Sequence, residues 1–274
     1  MDPLTSLTPT QRRLIERALL SESFDERFAA LDDLEAILND EEGWASLARR
    51  LLAEDENEPY LQLGLDMLGM LATRDGRWTS ELVRHANRLS TSTDEDTRWS
   101  AAHAVSGLEQ EDVLETLLSL AEDSDSDVRW QVALGLPKVL SKYRDRRGIN
   151  ALLKLMNDSD PEIRDWSAFG VGSQIGIDSS EIREALASHI YDEGKDTAGE
   201  AILGLARRGD DRAFEPIRQR LTDGNPGNLI VEAAGQLGDP RLLPALRALK
   251  ETGWTDDIKP GVLDEAIRSC SSNG

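Results

Sequence analysis

A short pattern of residues recurs along this chain and constrains its fold more than any other feature. In residues 97–105, 128–136 and 163–171, an arginine at the second position is followed by small and apolar residues. Degenerate copies surround these three, and aligning all of them gives reference positions 27, 61, 98, 129, 164, 198 and 230. The steps of 34, 37, 31, 35, 34 and 32 residues indicate stacked two-helix units, because a period in the low thirties is typical of such arrays.

The segments around each copy have the composition of helices and helix starts. Clusters of Asp, Asn, Ser and Pro, which satisfy the free amides of a helix N-terminus, precede four of the repeated helices at 92–96, 123–127, 157–161 and 223–226. Apolar residues three and four apart predict a further helix before or between these copies, at 112–121, 149–156, 180–190, 212–221 and 241–249. No sustained alternation with a period of two is present, so we expect no sheet. We predict an all-α chain of about seven or eight helix pairs, in which the helix beginning at Val128 ends at Gly135–Leu136.

The charge and the cysteine content limit the classes of partner and compartment. The chain has 31 Lys and Arg residues against 52 Asp and Glu residues, a net charge of −21. This excess favours a basic protein partner and makes a nucleic-acid backbone an unfavourable one. With one cysteine, Cys270, the chain cannot form an internal disulfide. No signal peptide and no run of about 18 apolar residues is present, so we expect a cytoplasmic monomer without a membrane contact.

The repeat resembles the HEAT-like family, especially the short repeats of phycobilisome-lyase-type proteins. Residues 238–246, GDPRLLPAL, are similar to that family's linker and first helix. The second half, 158–249, also resembles bacterial HEAT-repeat proteins encoded beside Rhs toxin elements, through RDWSAF at 164–169 and EAAGQLGD at 232–239. The resemblance implies a right-handed α-solenoid forming one domain over 1–274, with degenerate repeats in 1–92, clear repeats in 93–250 and a C-terminal cap in 251–274.

The resemblance also assigns roles to two sets of repeat positions. Arg98, Arg129 and Arg164 share one position and follow acidic residues, which implies a ladder of Arg–Asp pairs between neighbouring turns. The second helix of each HEAT-like unit lines the concave face, which gives a predicted binding groove of Trp99, His103, Trp130, Gln131, Asp165, Trp166, Phe169, Glu200 and Glu232. Aromatic anchors with acidic neighbours would suit a basic peptide or protein surface. The alternative interpretation is that the rings pack on neighbouring helices and close the inner seam.

No residue set in the sequence declares a reaction. The three histidines, His85, His103 and His189, lie on different repeats, and no Cys/His cluster has the spacing of a zinc site; we therefore predict no catalytic residue, metal or cofactor. The main hypothesis is a non-catalytic scaffold that binds another protein in its groove, for example as the immunity protein or chaperone of a toxin. The alternatives are a structural spacer, a bilin-lyase-like subunit, and a protein similar to the HEAT-like alkylpurine DNA glycosylases, in which Asp165 beside Trp166 would recognise the damaged nucleotide.

Overall fold

All regular structure in the described part of the chain is helical. The computed structural model describes residues 3–21, 23–38, 40–224, 226–252 and 258–272. These residues form sixteen α-helices: α1 (Pro9–Leu19), α2 (Phe24–Leu38), α3 (Glu41–Leu51), α4 (Glu58–Arg74), α5 (Thr79–Leu89), α6 (Glu95–Ser106), α7 (Leu114–Leu120), α8 (Ser126–Lys142), α9 (Arg146–Leu155), α10 (Pro161–Phe169), α11 (Ser180–Ser188), α12 (Lys195–Arg207), α13 (Phe214–Thr222), α14 (Gly227–Leu237), α15 (Leu243–Thr252) and α16 (Val262–Ser272). The predictions of an all-α solenoid and of about seven or eight helix pairs are confirmed.

Acidic residues fix where several helices begin. Asp75, Asp210 and Asp239 each precede a single 3₁₀ turn, and each accepts a hydrogen bond from the amide two residues later, at 2.8–3.1 Å. The side chain of Asp94 caps α6 in the same manner through the amide of Thr97, at 2.8 Å. Each cap satisfies an amide that the helix itself cannot satisfy.

The contacts divide the chain into two units, Met1–Val139 and Leu140–Gly274. In the first unit α4 packs on α6 and α5 on α7, and in the second α12 packs on both α10 and α14, which packs on α16. Helices of the same rank in successive repeats thus lie side by side within each unit, as a repeat array requires. The handedness of the array and its continuity as one domain stay predictions.

Small residues permit close approach of neighbouring helices at two places. A β-carbon at Gly204 of α12 would lie only 2.7 Å from the Cα of Gly172, and one at Gly69 of α4 would lie 3.3 Å from the Cα of Ala104 on α6. Real β-carbons do not occupy such positions without displacing the backbone they meet. The small residues of the repeat therefore set the distance between stacked helices.

The end of helix α8 differs from the prediction. Helix α8 continues through Pro137 to Lys142 instead of ending at Gly135–Leu136, because its apolar face continues with the fully buried Val139 and Leu140. Gly135 serves close packing, since a β-carbon there would lie 3.0 Å from the Cα of Ser106.

Two further features at helix ends lie in the second unit. Helix α10 is followed by one π turn, Gly170–Gln174, which the sequence pattern did not predict. The predicted C-terminal cap, 251–274, includes helix α16, whereas its residues 253–257 and 273–274 lie outside the described residues.

Candidate functional site

Four rings from two helices form a cluster in the first unit, which we call the aromatic cluster: Phe24, Phe28, Trp99 and His103. Phe24 and Phe28 lie four residues apart on α2, and Trp99 and His103 lie four apart on α6, so each pair shares one helix face. The indole of Trp99 and the imidazole of His103 stack with centroids 4.9 Å apart and planes within 2° of parallel. Phe24 meets the Trp99 ring edge-on at 5.7 Å and the His103 ring at 4.8 Å. The rings hold one another in fixed orientations, while the side chain of Phe24 remains 43% exposed.

The chemistry of His103 follows from its burial in this cluster. Burial lowers the pKa of the imidazole, because a low-dielectric environment disfavours the charged form. Within the described structure its Nδ1 is buried and has no hydrogen-bond partner. Burial therefore favours the neutral form of this packed ring. Gln131, which the sequence also placed in the groove, is buried and accepts a hydrogen bond from the hydroxyl of Ser106 at 3.2 Å.

A cleft beside the aromatic cluster has mainly acidic walls, and we call it the acidic cleft. It has a volume of about 520 Å³ and is lined by Ser21, Ser23, Phe24, Arg27, Gln62, Glu95, Asp96, Trp99, Ser100, Asp125 and Asp127. Four carboxylates and one guanidinium give these residues a formal charge of −3. Asp125 caps α8 through the amides of Asp127 and Val128, at 2.9 and 3.1 Å. Glu95, Asp96 and Asp127 are exposed, and their carboxylates make no hydrogen bond or close ion pair among the described residues. The guanidinium of Arg98, which is paired with Asp123, acts on Glu95 only through space.

The guanidinium of Arg27 at this cleft is fixed by a buried polar network. It donates to Asp66 Oδ2 and to Gln62 Oε1, both at 3.1 Å, and Gln62 in turn donates to Asp94 Oδ2 at 3.1 Å. Asp66 is fully buried, and burial raises the pKa of its carboxyl to about 7 although Arg27 favours the ionised form. The network ties α2 to α4 and to the start of α6.

The predicted groove residues of the second unit have different surroundings. Trp166 of α10 is 40% exposed and meets the half-buried ring of Phe169 edge-on at 5.9 Å. The carboxylate of Asp165 accepts hydrogen bonds from the amide of Thr197, at 3.1 Å, and from its hydroxyl. Asp165 therefore joins α10 to the first turn of α12.

The two glutamates predicted for the groove of the second unit, Glu200 and Glu232, have different surroundings. Glu200 is buried beside the π turn, accepts a hydrogen bond from Ser173, and has its pKa raised by burial; it does not lie open on a rim. Glu232 is half-buried and forms an ion pair with Arg207 at 2.8 Å, which offsets its charge. Trp130 is half-buried on α8. The proximity of the first-unit and second-unit groove residues stays a prediction.

Two of the three repeated arginines, Arg98 and Arg164, form Arg–Asp pairs with the following turn, as the resemblance implies. Their partners are not the acidic residues that precede them in the sequence. Arg98 forms a two-pronged ion pair with Asp123 of the following turn, at 2.7 and 2.9 Å, and Arg164 reaches Asp192 at 3.4 Å. Another nitrogen of each arginine, Nη1, donates to the backbone carbonyls five and six residues earlier, at 3.0–3.3 Å. The acidic partners, Asp123 and Asp192, each lie six positions before the reference position of the next repeat, 129 or 198. The arginine pairs therefore stabilise the stacking of neighbouring turns.

Sequence reasoning missed Phe24 and Arg27 as members of the site. The spacing of four between Phe24 and Phe28 was the signal that could have identified Phe24.

In the part of the chain that the structure describes, no group of three or more His, Cys, Asp or Glu side chains could hold a metal ion. No helix among these residues is long and apolar enough to cross a membrane.

Comparison with known proteins places the chain in a family. A sequence-family model of HEAT repeats matches residues 84–172 and 149–230, which together cover more than half of the chain. The protein YibA of Escherichia coli strain K12 is 30% identical over 149 residues, which are 54% of this chain and 51% of YibA, and YibA of strain O157:H7 gives the same values. The chain spans about half the length of the curated relatives it matches.

Solved structures show the same fold at lower identity. The X-ray structure of E. coli YibA is similar with a TM-score of 0.73 and 21% identity, covering 96% of this chain and 94% of that one. The crystal structure of an engineered protein is similar with a TM-score of 0.58 and 17% identity, covering 96% and 78%. From the repeat, the stacked helices and the family match, this chain belongs to the HEAT-repeat family.

Proposed function

We propose that this protein is a non-catalytic scaffold that binds a basic protein through the aromatic and acidic surface of its second helices. The observation that carries the proposal is the aromatic cluster, whose rings are fixed by one another and open beside a cleft with a formal charge of −3. Aromatic rings that are already fixed lose little entropy on binding, and the residues that dominate the binding energy of protein interfaces are rich in Trp and Tyr. The net charge of −21 attracts a basic partner over a longer range.

The second unit supplies a further candidate contact. Trp166 is 40% exposed and meets Phe169 edge-on at 5.9 Å, and tryptophan is enriched at protein interfaces because its ring combines a large apolar area with a polar N–H. We include Trp130 and Phe169 in the proposed surface because they share the repeat positions of Trp99 and His103. Glu200 and Asp165 act in this account by holding helices together, as their hydrogen bonds to Ser173 and Thr197 indicate.

The similarity of residues 158–249 to Rhs-locus HEAT proteins suggests a concrete partner class. A toxin domain is the partner we propose, with this protein as its immunity protein or chaperone in the cytoplasm. The acidic surface favours this proposal because a basic toxin domain would complement it in charge.

Affinity capture tests the function. The full chain is immobilised and exposed to native lysate, and bound proteins are identified by mass spectrometry. A basic protein should be retained by the wild type and lost by the double variant Phe24→Ala with Trp99→Ala, which removes two rings of the aromatic cluster. Tyr191→Ala, which removes a ring that is 70% exposed outside the groove positions, is the control and should retain the partner. Retention by the double variant would contradict the groove assignment.

A further inference from the structure

We infer that the acidic cleft binds the guanidinium of an arginine side chain from the basic partner, with Trp99 and Phe24 beside its plane and Glu95, Asp96 and Asp127 as its anionic partners. This inference rests on the proposed function and adds the chemistry of one subsite. Each participating side chain lies in the first unit, on α2, α6 or α8.

The charge of the cleft selects a cation. Glu95, Asp96 and Asp127 occupy first turns of α6 and α8, where the helix dipole stabilises a carboxylate. Carboxylates that only stabilise a helix start need not share a cleft, yet here the starts of α6 and α8, the second helices of two successive repeats, line the same cleft. Arg27 carries the single positive charge in the lining, and its guanidinium is already held by Asp66 and Gln62. The remaining carboxylates are therefore available to a cation from outside.

A buried hydroxyl gives a second, independent indication of a ligand. Ser100 lines the cleft and is only 1% exposed, and its Oγ has no hydrogen-bond partner within the described structure. An unsatisfied buried hydroxyl is unfavourable unless a partner arrives. An N–H donor entering the cleft would supply that partner.

The aromatic walls favour arginine over lysine. The ring of Trp99 is fixed by its stacking on His103 at 4.9 Å and by the edge contact with Phe24 at 5.7 Å. A planar guanidinium stacks on such rings and presents several N–H groups in its own plane to carboxylates, whereas an ammonium is a compact, strongly hydrated charge. The volume of about 520 Å³ lies in the range of ligand pockets.

Titration with short blocked peptides tests the inference on the full chain. The probes are acetylated and amidated tetra-arginine, tetra-lysine and tetra-citrulline, the last being a neutral analogue of arginine. Calorimetry should show tetra-arginine binding more tightly than tetra-lysine and no binding of tetra-citrulline. Equal binding of all three peptides would overturn the inference.

Matched variants separate the cleft from the net charge. Glu95→Gln with Asp127→Asn should weaken tetra-arginine binding about tenfold. Glu162→Gln with Glu193→Gln removes two exposed carboxylates of the second unit, one of them at the repeat position of Asp127, and should change the affinity less than about twofold. Equal losses in both double variants would overturn the cleft as the binding site.

A matched pair of serine variants tests the role of the Ser100 hydroxyl. Ser100→Ala should lower the affinity for tetra-arginine about threefold, the loss expected for one hydrogen bond, without lowering thermal stability. Ser167→Ala removes a hydroxyl that is equally buried and unpartnered in the second unit and should leave the affinity unchanged. An unchanged affinity of Ser100→Ala for tetra-arginine would show that the Ser100 hydroxyl does not contact the bound guanidinium. If a captured partner is retained by the Glu95→Gln/Asp127→Asn variant, the proposed function stands and the arginine subsite is wrong.

Discussion

Replacing Asp66 by asparagine should abolish the contribution of this carboxyl to stability, which we expect to fall as the pH rises from 5 to 8. The side chain of Asp66 is fully buried on α4. Burial raises the pKa of its carboxyl from an ordinary 3.8 to about 7, although Arg27 opposes this shift from 3.1 Å away. The folded protein therefore holds the proton over a pH range in which the unfolded chain has released it.

The sign and size of the effect follow from this difference. Between pH 3.8 and 7 the unfolded chain binds fewer protons than the folded protein, so the free energy of unfolding falls as the pH rises. A shift of about three pKa units corresponds to about 4 kcal/mol over the full range. About 2–3 kcal/mol of this falls between pH 5 and pH 8, because the loss below pH 5 has already occurred.

Urea unfolding followed by circular dichroism measures the effect at both pH values. The free energy of unfolding of Asp66→Asn minus that of the wild type should be larger at pH 8 than at pH 5 by that amount. Burial lowers the pKa of His85 and of His103, so these two residues make the free energy of unfolding rise with pH. Both histidines are present in both proteins, and their contributions therefore cancel in the difference. Asp32→Asn, at an exposed position of α2, is the control and should follow the wild-type profile. Parallel profiles for Asp66→Asn and the wild type would refute the reasoning.

Three further predictions concern packing and reactivity. Arg98→Ala should lower the free energy of unfolding by about 2–3 kcal/mol, because it leaves the nearly buried Asp123 without its two-pronged partner; a change below about 0.5 kcal/mol, as for an exposed pair, would contradict this. Gly204→Ala should cost about 1–3 kcal/mol, since its β-carbon would meet backbone, whereas Gly176→Ala, with no atom within 4 Å, should be close to neutral. The thiol of Cys270 is fully buried, and burial raises its pKa to about 11. At pH 8 it should therefore react with a thiol reagent far more slowly in the folded protein than in the urea-unfolded protein. Equal reaction rates in the two states would contradict its burial.

The local features of the fold could be predicted from the sequence. Helix starts depend on residues within one turn, so clusters such as those at 92–96 and 157–161 placed α6 and α10 within two residues of their observed starts. The period of the repeat indicated stacking, because each two-helix unit needs neighbours to bury its apolar face. The end of α8 was predicted wrongly, since Gly135 is a breaker in isolation and a packing residue here.

Features that depend on the next repeat could not be predicted in the same way. Glu200 has the sequence position of a groove residue, but the π turn after α10 brings Ser173 to its carboxylate and buries it. The partner of Arg98 is Asp123 in the following turn, while the sequence offered nearer acidic residues. Phe24 joins Trp99 and His103 across 75 or more residues of chain, a contact that only the stacking geometry determines.

The measurement that tests the central claim most directly is the salt dependence of partner capture by the full chain. Capture from native lysate is carried out at low and at moderate salt, and the retained proteins are identified by mass spectrometry. The account predicts one basic protein that is retained at low salt and lost as the salt rises, because screening weakens attraction between exposed charges. Capture of nucleic acid in place of a protein would contradict the account, and it would make Asp165 the residue to test for glycosylase chemistry.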